Sequence, residues 1–294
     1  MLVTAAAPAR RPGGTAALPL RLVAAYDRGF GPPGADRPGP GAEEYLSDLV
    51  ASGGGRFRPE ILRAGGYTAF TTMARRLVDE LGPGWSSVDL VILCHAVPDL
   101  DHRRFPGTFL TGALPAAPLG LTLCDQGSVV PFSALRVAGA YAATVPLRHI
   151  LVLILDQATV PWHVADRTGL PATDRAVALL LEPAPGPGRP GLPLRQFPGV
   201  APDEVGALLK AHLPDLAGEH DRVRVIASPA VPADHLGSVA SPVTVARPGQ
   251  LCTAGWSQLA RAGRTRAPGR TVLIGYDARL RHLCLAAVDS DEQP

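Results

Sequence analysis

The chain is nearly without lysine: Lys210 stands alone, and arginine supplies the rest of the positive charge. With a formal net charge of +2 over 294 residues, and no basic cluster interleaved with aromatics, nothing in the sequence points to nucleic acid. Long apolar runs are missing too. The most apolar stretch, "ILVLIL" at Ile150 to Leu155, falls far short of the roughly 20 residues that span a bilayer, and reads as a buried strand. The first residues, "MLVTAAAPARRPGG", carry arginines where a signal peptide needs its apolar region. Cys94, Cys124, Cys252 and Cys284 lie far apart with no CxxC spacing. Free thiols in a reduced, cytoplasmic protein are therefore expected, with no zinc site and no disulfide framework. H-E-x-x-H is absent, so no metal centre is expected. No G-x-S-x-G exists, because Ser128 is followed by Val129 and Val130, which argues against an α/β-hydrolase. "GGTAAL" and "SGGGRF" lack the lysine and the strand-to-helix context of a phosphate loop.

What is present is alternation of strands and helices. The Pro/Gly-rich opening holds one strand candidate, Leu20–Tyr26, and a short helix around "AEEYLSDLV". "AFTTMARRLVDEL" places Phe70, Met73, Leu77 and Leu81 on one helical side, and "VDLVILCHAV" then reads as a buried strand. "LGLTL", a helix from about Ser128 to Ala143 and "RHILVLILD" form a strand–helix–strand unit, the mark of parallel sheet. "DRAVALLLE" (Asp174–Glu182) is a further buried strand, with Asp174 making structural hydrogen bonds at its start. "PAPGPGRPG" follows as a linker, and residues 1–183, 184–191 and 192–294 divide the chain into a first half, the linker and a second half.

Beyond the linker the order recurs. "PDEVGALLKAHLPDL" and "RVRVIASPAVPAD" repeat helix, breaker and strand. "GWSQLARAGRTRAPGRTVLIGYDA" echoes "FSALRVAGAYAATVPLRHILVLILDQ". Aligning Leu135 with Leu259 sets Ser128 opposite Cys252. This is either an internal duplication or coincidence in an Ala/Leu/Arg-rich chain.

Ser128 sits at the hinge between an apolar strand and a helix, where helix amides favour developing negative charge. Two readings stay open there: a nucleophile, or an N-cap serine with Pro131 in the first turn. Asp125 orients a base or caps the turn. His95, His163 and His235 are the candidate bases, each equally readable as a structural or surface histidine. Cys252 is a second-half thiol facing the same pocket, or a buried inert one.

A duplicated α/β chain with a reactive residue at such a hinge resembles the thiolase fold, and in particular the ketoacyl synthase III-like condensing enzymes. "SVDLVILCHAVPD", "LTLCDQGSVVPFSALRVAGAYA", "ATDRAVALLLE" and "APGRTVLIGYDARLRHLCLAAV" carry the resemblance, in the family's order, over roughly residues 65–290. It implies two pseudo-repeated βα-rich halves stacked as a five-layered α-β-α-β-α core. It also implies an acyl thioester, on coenzyme A or on a phosphopantetheine carrier protein, as co-substrate rather than a permanently bound cofactor. A homodimer, or a heterodimer with a related synthase, is implied as well, within secondary metabolism.

The sequence departs from the family where its chemistry lies. Ser128 takes the place of the nucleophilic cysteine, Ser228 or Ala227 that of a histidine, and Gln250 that of an asparagine. "GYDAR" puts Asp277 and Arg279 where the family has glycines, and Asp125, Gln126, Gly127, Gly275 and Asp277 are the implied turn and oxyanion neighbourhood. A serine needs an adjacent general base, and losing an enolate donor costs about 2.7–4 kcal/mol of barrier, so decarboxylative condensation is not expected. The resemblance then implies acyl transfer through Ser128, with Gln250 and backbone amides holding the oxyanion. The alternative is a non-catalytic partner subunit of a ketosynthase, in the manner of a chain-length factor.

Overall fold

The computed structural model describes residues 16–290 except 32–35, 65, 82–85, 164–169, 185–190, 238 and 264–268. The arginine-bearing start of the chain and nearly all of the expected linker lie outside the described residues. In chain order the elements are β1 (Ala16–Leu18), β2 (Leu20–Phe30), α1 (Ala42–Ser52), α2 (Pro59–Ala64), α3 (Phe70–Leu81) and β3 (Val88–Cys94). Then come α4 (Pro106–Ala113), β4 (Leu119–Leu123), α5 (Val130–Thr144), β5 (His149–Asp156), β6 (Asp174–Pro183) and β7 (Leu192–Pro198). The chain closes with α6 (Val205–Ala217), β8 (Val223–Ala227), α7 (Ala233–Leu236), β9 (Val243–Val245), α8 (Ala254–Gly263), β10 (Gly269–Asp277) and β11 (His282–Ser290).

The strands form two mixed sheets, ordered β2-β6-β5-β3-β4 and β1-β7-β11-β10-β8-β9. β3 pairs in parallel with both β4 and β5, so the strand–helix–strand unit crosses over β3 through α5. β6 then pairs antiparallel with β5 and β2. The second sheet repeats this plan: β8 is parallel to β9 and β10, and β11 is antiparallel to β10 and β7. Strand for strand, β2, β3, β4, β5 and β6 correspond to β7, β8, β9, β10 and β11. α3 and α5 correspond to α6 and α8. Coincidence does not generate matching order, direction and pairing, so the echo in the sequence is an internal duplication. β1 stands outside the scheme, since it precedes β2 in the chain yet pairs antiparallel with β7, and so do α1 and α2, inserted between β2 and α3.

Layering follows from where the apolar faces go. Phe70, Met73 and Leu77 of α3 pack with Val91, Leu93, Leu151 and Leu153 on the outer face of the first sheet. Val205, Leu209 and Leu213 of α6 do the same with Val225, Val272 and Leu285 on the outer face of the second. Between the sheets lie α5 and α8, whose Phe132 and Trp256 rings stand 5.2 Å apart. Ile92, Ile150 and Val152 meet them from one sheet, Ile226, Leu273 and Ala286 from the other. The result is the five-layered α-β-α-β-α arrangement. β3, β5 and β6 are buried on both faces, as their unbroken apolar runs require. β4 lies at the sheet edge, where Leu119 is exposed.

Gly275 lies inside β10, not in the turn beyond it, and a Cβ there would run into the Phe132 ring. Its role is close packing of α5 on the sheet.

The start of α3 is held by carboxylates on successive amides: Thr68 donates to Asp174 (2.8 Å), Ala69 to Asp36 (2.8 Å) and Phe70 to Asp99 (3.2 Å). Asp174 also accepts from Ala158 at 2.8 Å, the structural role expected of it. Burial, with the charge of Asp101 nearby, raises the pKa of Asp99 to about 7. A carboxyl whose folded pKa lies above its unfolded value stabilises the fold below that unfolded value, near 4, and the contribution fades as pH rises through about 7. We therefore expect Asp99→Asn to flatten the fall in unfolding free energy between about pH 4 and 7, by up to roughly 4 kcal/mol over the window. Urea titrations at a series of pH values measure this, and an unchanged slope would refute the assignment.

Candidate active site

A short 3-10 turn, Gly127–Val129, precedes α5, with Gly127 in the left-handed region at φ +54. Ser128 therefore lies in the turn before the helix and does not cap it: α5 begins at Val130, with Pro131 in its first turn and no side chain capping it. The capping reading of Ser128 is thus corrected. Its own polar groups are held from the other half of the molecule. The Ser128 amide donates to Asp277 Oδ2 at 2.9 Å, and the Ser128 hydroxyl lies 3.2 Å from the same oxygen. The hydroxyl's other neighbour is the Tyr276 carbonyl, at 3.5 Å. Asp277 Oδ1 accepts from the Leu280 amide at 2.9 Å, which fixes the carboxylate within its own turn. The carboxylate rests directly on Gly127: a Cβ at that residue would overlap it and come within 3.1 Å of Leu280.

Cys252 completes the junction from the start of α8, its thiol 3.6 Å from the Gly127 carbonyl. Burial, reinforced by the charge of Asp156 and by Cys94, pushes that thiol well above the usual range, which disfavours the thiolate. Asp156, at the end of β5, accepts from the amides of Leu251 (2.9 Å), Cys252 (3.0 Å) and Thr253 (3.0 Å) and from the Thr253 hydroxyl (2.6 Å). The duplication thus appears again in the side chains. Each half ends a central strand in an aspartate that binds the helix-start turn of the other half: Asp156 with Cys252, and Asp277 with Ser128. The repeated strand ends "LILD" and "IGYD" carry the signal for this pair.

The other candidates are placed as follows. Ser228 is buried, and its hydroxyl accepts from the Tyr276 amide at 3.2 Å, one residue from Asp277. Gln250 is partly buried, and its side-chain carbonyl oxygen is sealed from water without a hydrogen-bond partner. His95 stands at the end of β3, its Nδ1 bonded to the Val97 carbonyl at 3.0 Å and its ring 5.1 Å from Phe70. A carbonyl only accepts, so Nδ1 carries the proton; burial lowers the pKa of this ring. Asp125 is exposed, adopts the left-handed conformation at φ +61, and accepts from the Cys124 thiol at 3.1 Å. It caps neither the turn nor α5, and its charge acts on His95 against the effect of burial. Gln126 precedes the turn and makes no side-chain cap.

Two histidines lie elsewhere. His235 Nε2 bonds to the Pro202 carbonyl at 2.9 Å, and its ring packs against Gly206 of α6 in the outer layer. The His163 backbone amide pairs with the Arg56 carbonyl at 2.8 Å, beside the Phe57–Trp162 bridge. His235 sits on α7 against α6 and His163 follows β5 into the loop that pairs with Arg56, and no hydrogen bond joins either to Ser128. Cys94 and Cys284 are buried free thiols, and burial pushes the pKa of Cys284 up to about 12. Cys124 is exposed, its thiol raised to about 11 by partial burial and by Asp125. Among the described residues no cluster of His, Cys, Asp or Glu is arranged to hold a metal, and no helix is long and apolar enough to cross a membrane.

Two stacked, duplicated α/β halves, with the helix-start turns of each set against the strand ends of the other, define the thiolase-like fold. Among the solved structures it matches are those of condensing enzymes. A 3-oxoacyl-(acyl-carrier-protein) synthase from Burkholderia xenovorans LB400 superposes with TM-score 0.62 at 15% identity, over 97% of this chain and 96% of that one. A tetronic acid condensing enzyme gives TM-score 0.61 at 17% identity, over 91% and 99%. The 3-oxoacyl-(acyl carrier protein) synthase III of Pseudomonas aeruginosa PAO1 gives 0.60 at 15% identity, over 94% and 99%. No family model matches the chain, and no curated protein matches it in sequence. At these identities the likeness is one of fold, and the chemistry must be read from this chain's own residues.

Proposed function

We propose that this chain is a relative of the 3-oxoacyl-carrier-protein synthases that forms no acyl-enzyme at Ser128 and serves as the partner subunit of an active condensing enzyme. The observation that carries this reading is the Asp277 carboxylate, which takes both the amide and the hydroxyl of Ser128. Acyl transfer needs the reverse arrangement. An amide must be free to meet the developing oxyanion at about 2.7–3.1 Å, and a base must draw the proton from the hydroxyl. Here the amide already serves an anion, and no histidine ring hydrogen-bonds to Ser128 among the described residues. The serine, the buried Cys252 thiol and Ser228 at the histidine's place all agree with a fold kept for its shape and surface.

Acyl transfer through Ser128 is the second reading. One observation favours it: a hydroxyl is retained 3.2 Å from a carboxylate that can accept its proton. In either reading the ligand class is an acyl thioester on coenzyme A or on a carrier protein, and Gln250 has a side chain with an unused oxygen. The edge of β4, with Leu119 exposed beside it, is where a second copy or a related synthase would add to the sheet.

Native and intact-protein mass spectrometry, with a panel of acyl-CoA and acyl-carrier-protein thioesters beside Ser128→Ala, tests the proposal. The expected result is a dimer without acyl adduct from any donor. A mass increment that disappears in Ser128→Ala would overturn it and establish the acyltransferase.

A further inference from the structure

We infer that Asp277 is an autoinhibitory residue: its carboxylate is an intramolecular occupant of the place where a thioester oxygen would meet the Ser128 amide, and removing it reopens the turn. The inference rests on the proposal that the chain as it stands is not acylated. It goes further, in assigning that silence to one side chain rather than to the loss of the whole site.

Space supports the assignment first. The Asp277 carboxylate lies against the bare Cα of Gly127, so it fills the approach to the turn from the second half, with Leu280 beside it. Gly127 is left-handed at φ +54, and the Ser128 amide that follows it, like other amides at a helix start, has no partner in the helix and donates to that carboxylate.

The comparison of the two halves supports it independently. Asp156 is 2% exposed and collects four donors, all from residues 251–253. That is a structural cap, closed on every side. Asp277 is 9% exposed and collects only the two groups of Ser128 and the amide of Leu280. The turn that anchors it, Ala278 to Arg281, is exposed. Removing the Asp277 carboxylate breaks three hydrogen bonds, against four at Asp156, beside an exposed turn, and leaves the Ser128 amide and hydroxyl facing the gap. The same residue type is a structural cap in one half and a plug in the other.

The test uses a thiol to report on the opened turn. In Ser128→Cys the new sulfur attacks the thioester carbonyl carbon. A sulfur–acyl bond forms as the bond to coenzyme A breaks, and the thiol proton leaves with the coenzyme A thiol. Acylation by hexanoyl-CoA is followed by intact-protein mass for Ser128→Cys, for Ser128→Cys with Asp277→Gly, and for Ser128→Cys with Asp277→Ala. We expect the variants without the carboxylate to acylate at least tenfold faster than Ser128→Cys alone. The Ala variant keeps the test valid if the Gly variant does not fold. Equal or slower acylation without the carboxylate would overturn the inference, since a base or a bystander at 277 gives those results. The two claims fail separately. An adduct on Ser128 of the unaltered chain sinks the partner-subunit proposal, whereas the rate ratio across Asp277 decides the plug.

Discussion

Asp156→Ala is expected to lower the unfolding free energy by roughly 4 kcal/mol, the largest loss we predict for a single polar side chain in this protein. Its carboxylate accepts from the amides of Leu251, Cys252 and Thr253 and from the Thr253 hydroxyl, all at 3.0 Å or less. Thr253 is wholly buried, so water cannot replace the missing acceptor. Hydrogen bonds to a charged group contribute about 1.5–3 kcal/mol each, and stranded buried donors cost about 1–3 kcal/mol; shared partners make the sum less than additive. The loss falls where the halves meet, because β5 belongs to one sheet while α8 packs between both. Asp156→Asn keeps an acceptor and should lose about half as much. Urea unfolding with an unchanged denaturant slope is the measurement. A loss under about 1 kcal/mol for Asp156→Ala would mean that the α8 turn finds other acceptors.

Asp27→Ala is expected to cost about 3 kcal/mol by a different route. Asp27 on β2 receives Arg175 of β6 at 2.6 Å and Arg261 of α8 at 2.9 Å, with its own side chain only 6% exposed. Removing it leaves Arg175, 15% exposed, as a charge without its counterion in a poorly hydrated place. Arg261 is 34% exposed and can turn to water, which keeps the loss at the low end of the range for a broken buried pair, about 3–5 kcal/mol. Replacing both members of the buried pair, as Asp27→Leu with Arg175→Leu, should recover most of the stability, since apolar residues carry no desolvation penalty. Because Asp27 is shielded, the single-variant loss should persist in high salt. Thermal unfolding in low and high salt separates the cases, and a loss abolished by salt would assign the triad to the surface.

Sequence by itself raised the duplication that the sheet order decided, and it determined the buried strands and the helices of the first half and the hinge at residue 128. Those are local properties. "ILVLIL" and "AVALLL" announce strands buried on both faces, and the spacing of Phe70, Met73 and Leu77 announces a helix with one buried side. It also put Ser128 beside Cys252 as repeat mates, and the structure brings the two turns together through Gly127. Tertiary structure alone decided what Ser128 is bonded to. Its partner, Asp277, is 149 residues away, and Asp156 and Cys252 are 96 apart. A hydrogen bond is set by a few tenths of an ångström, whereas periodicity reports only which face a side chain occupies. A serine at a strand-to-helix hinge therefore reads equally as nucleophile or cap. Only the stacking of the two halves brings the Asp277 carboxylate onto the Ser128 amide and hydroxyl.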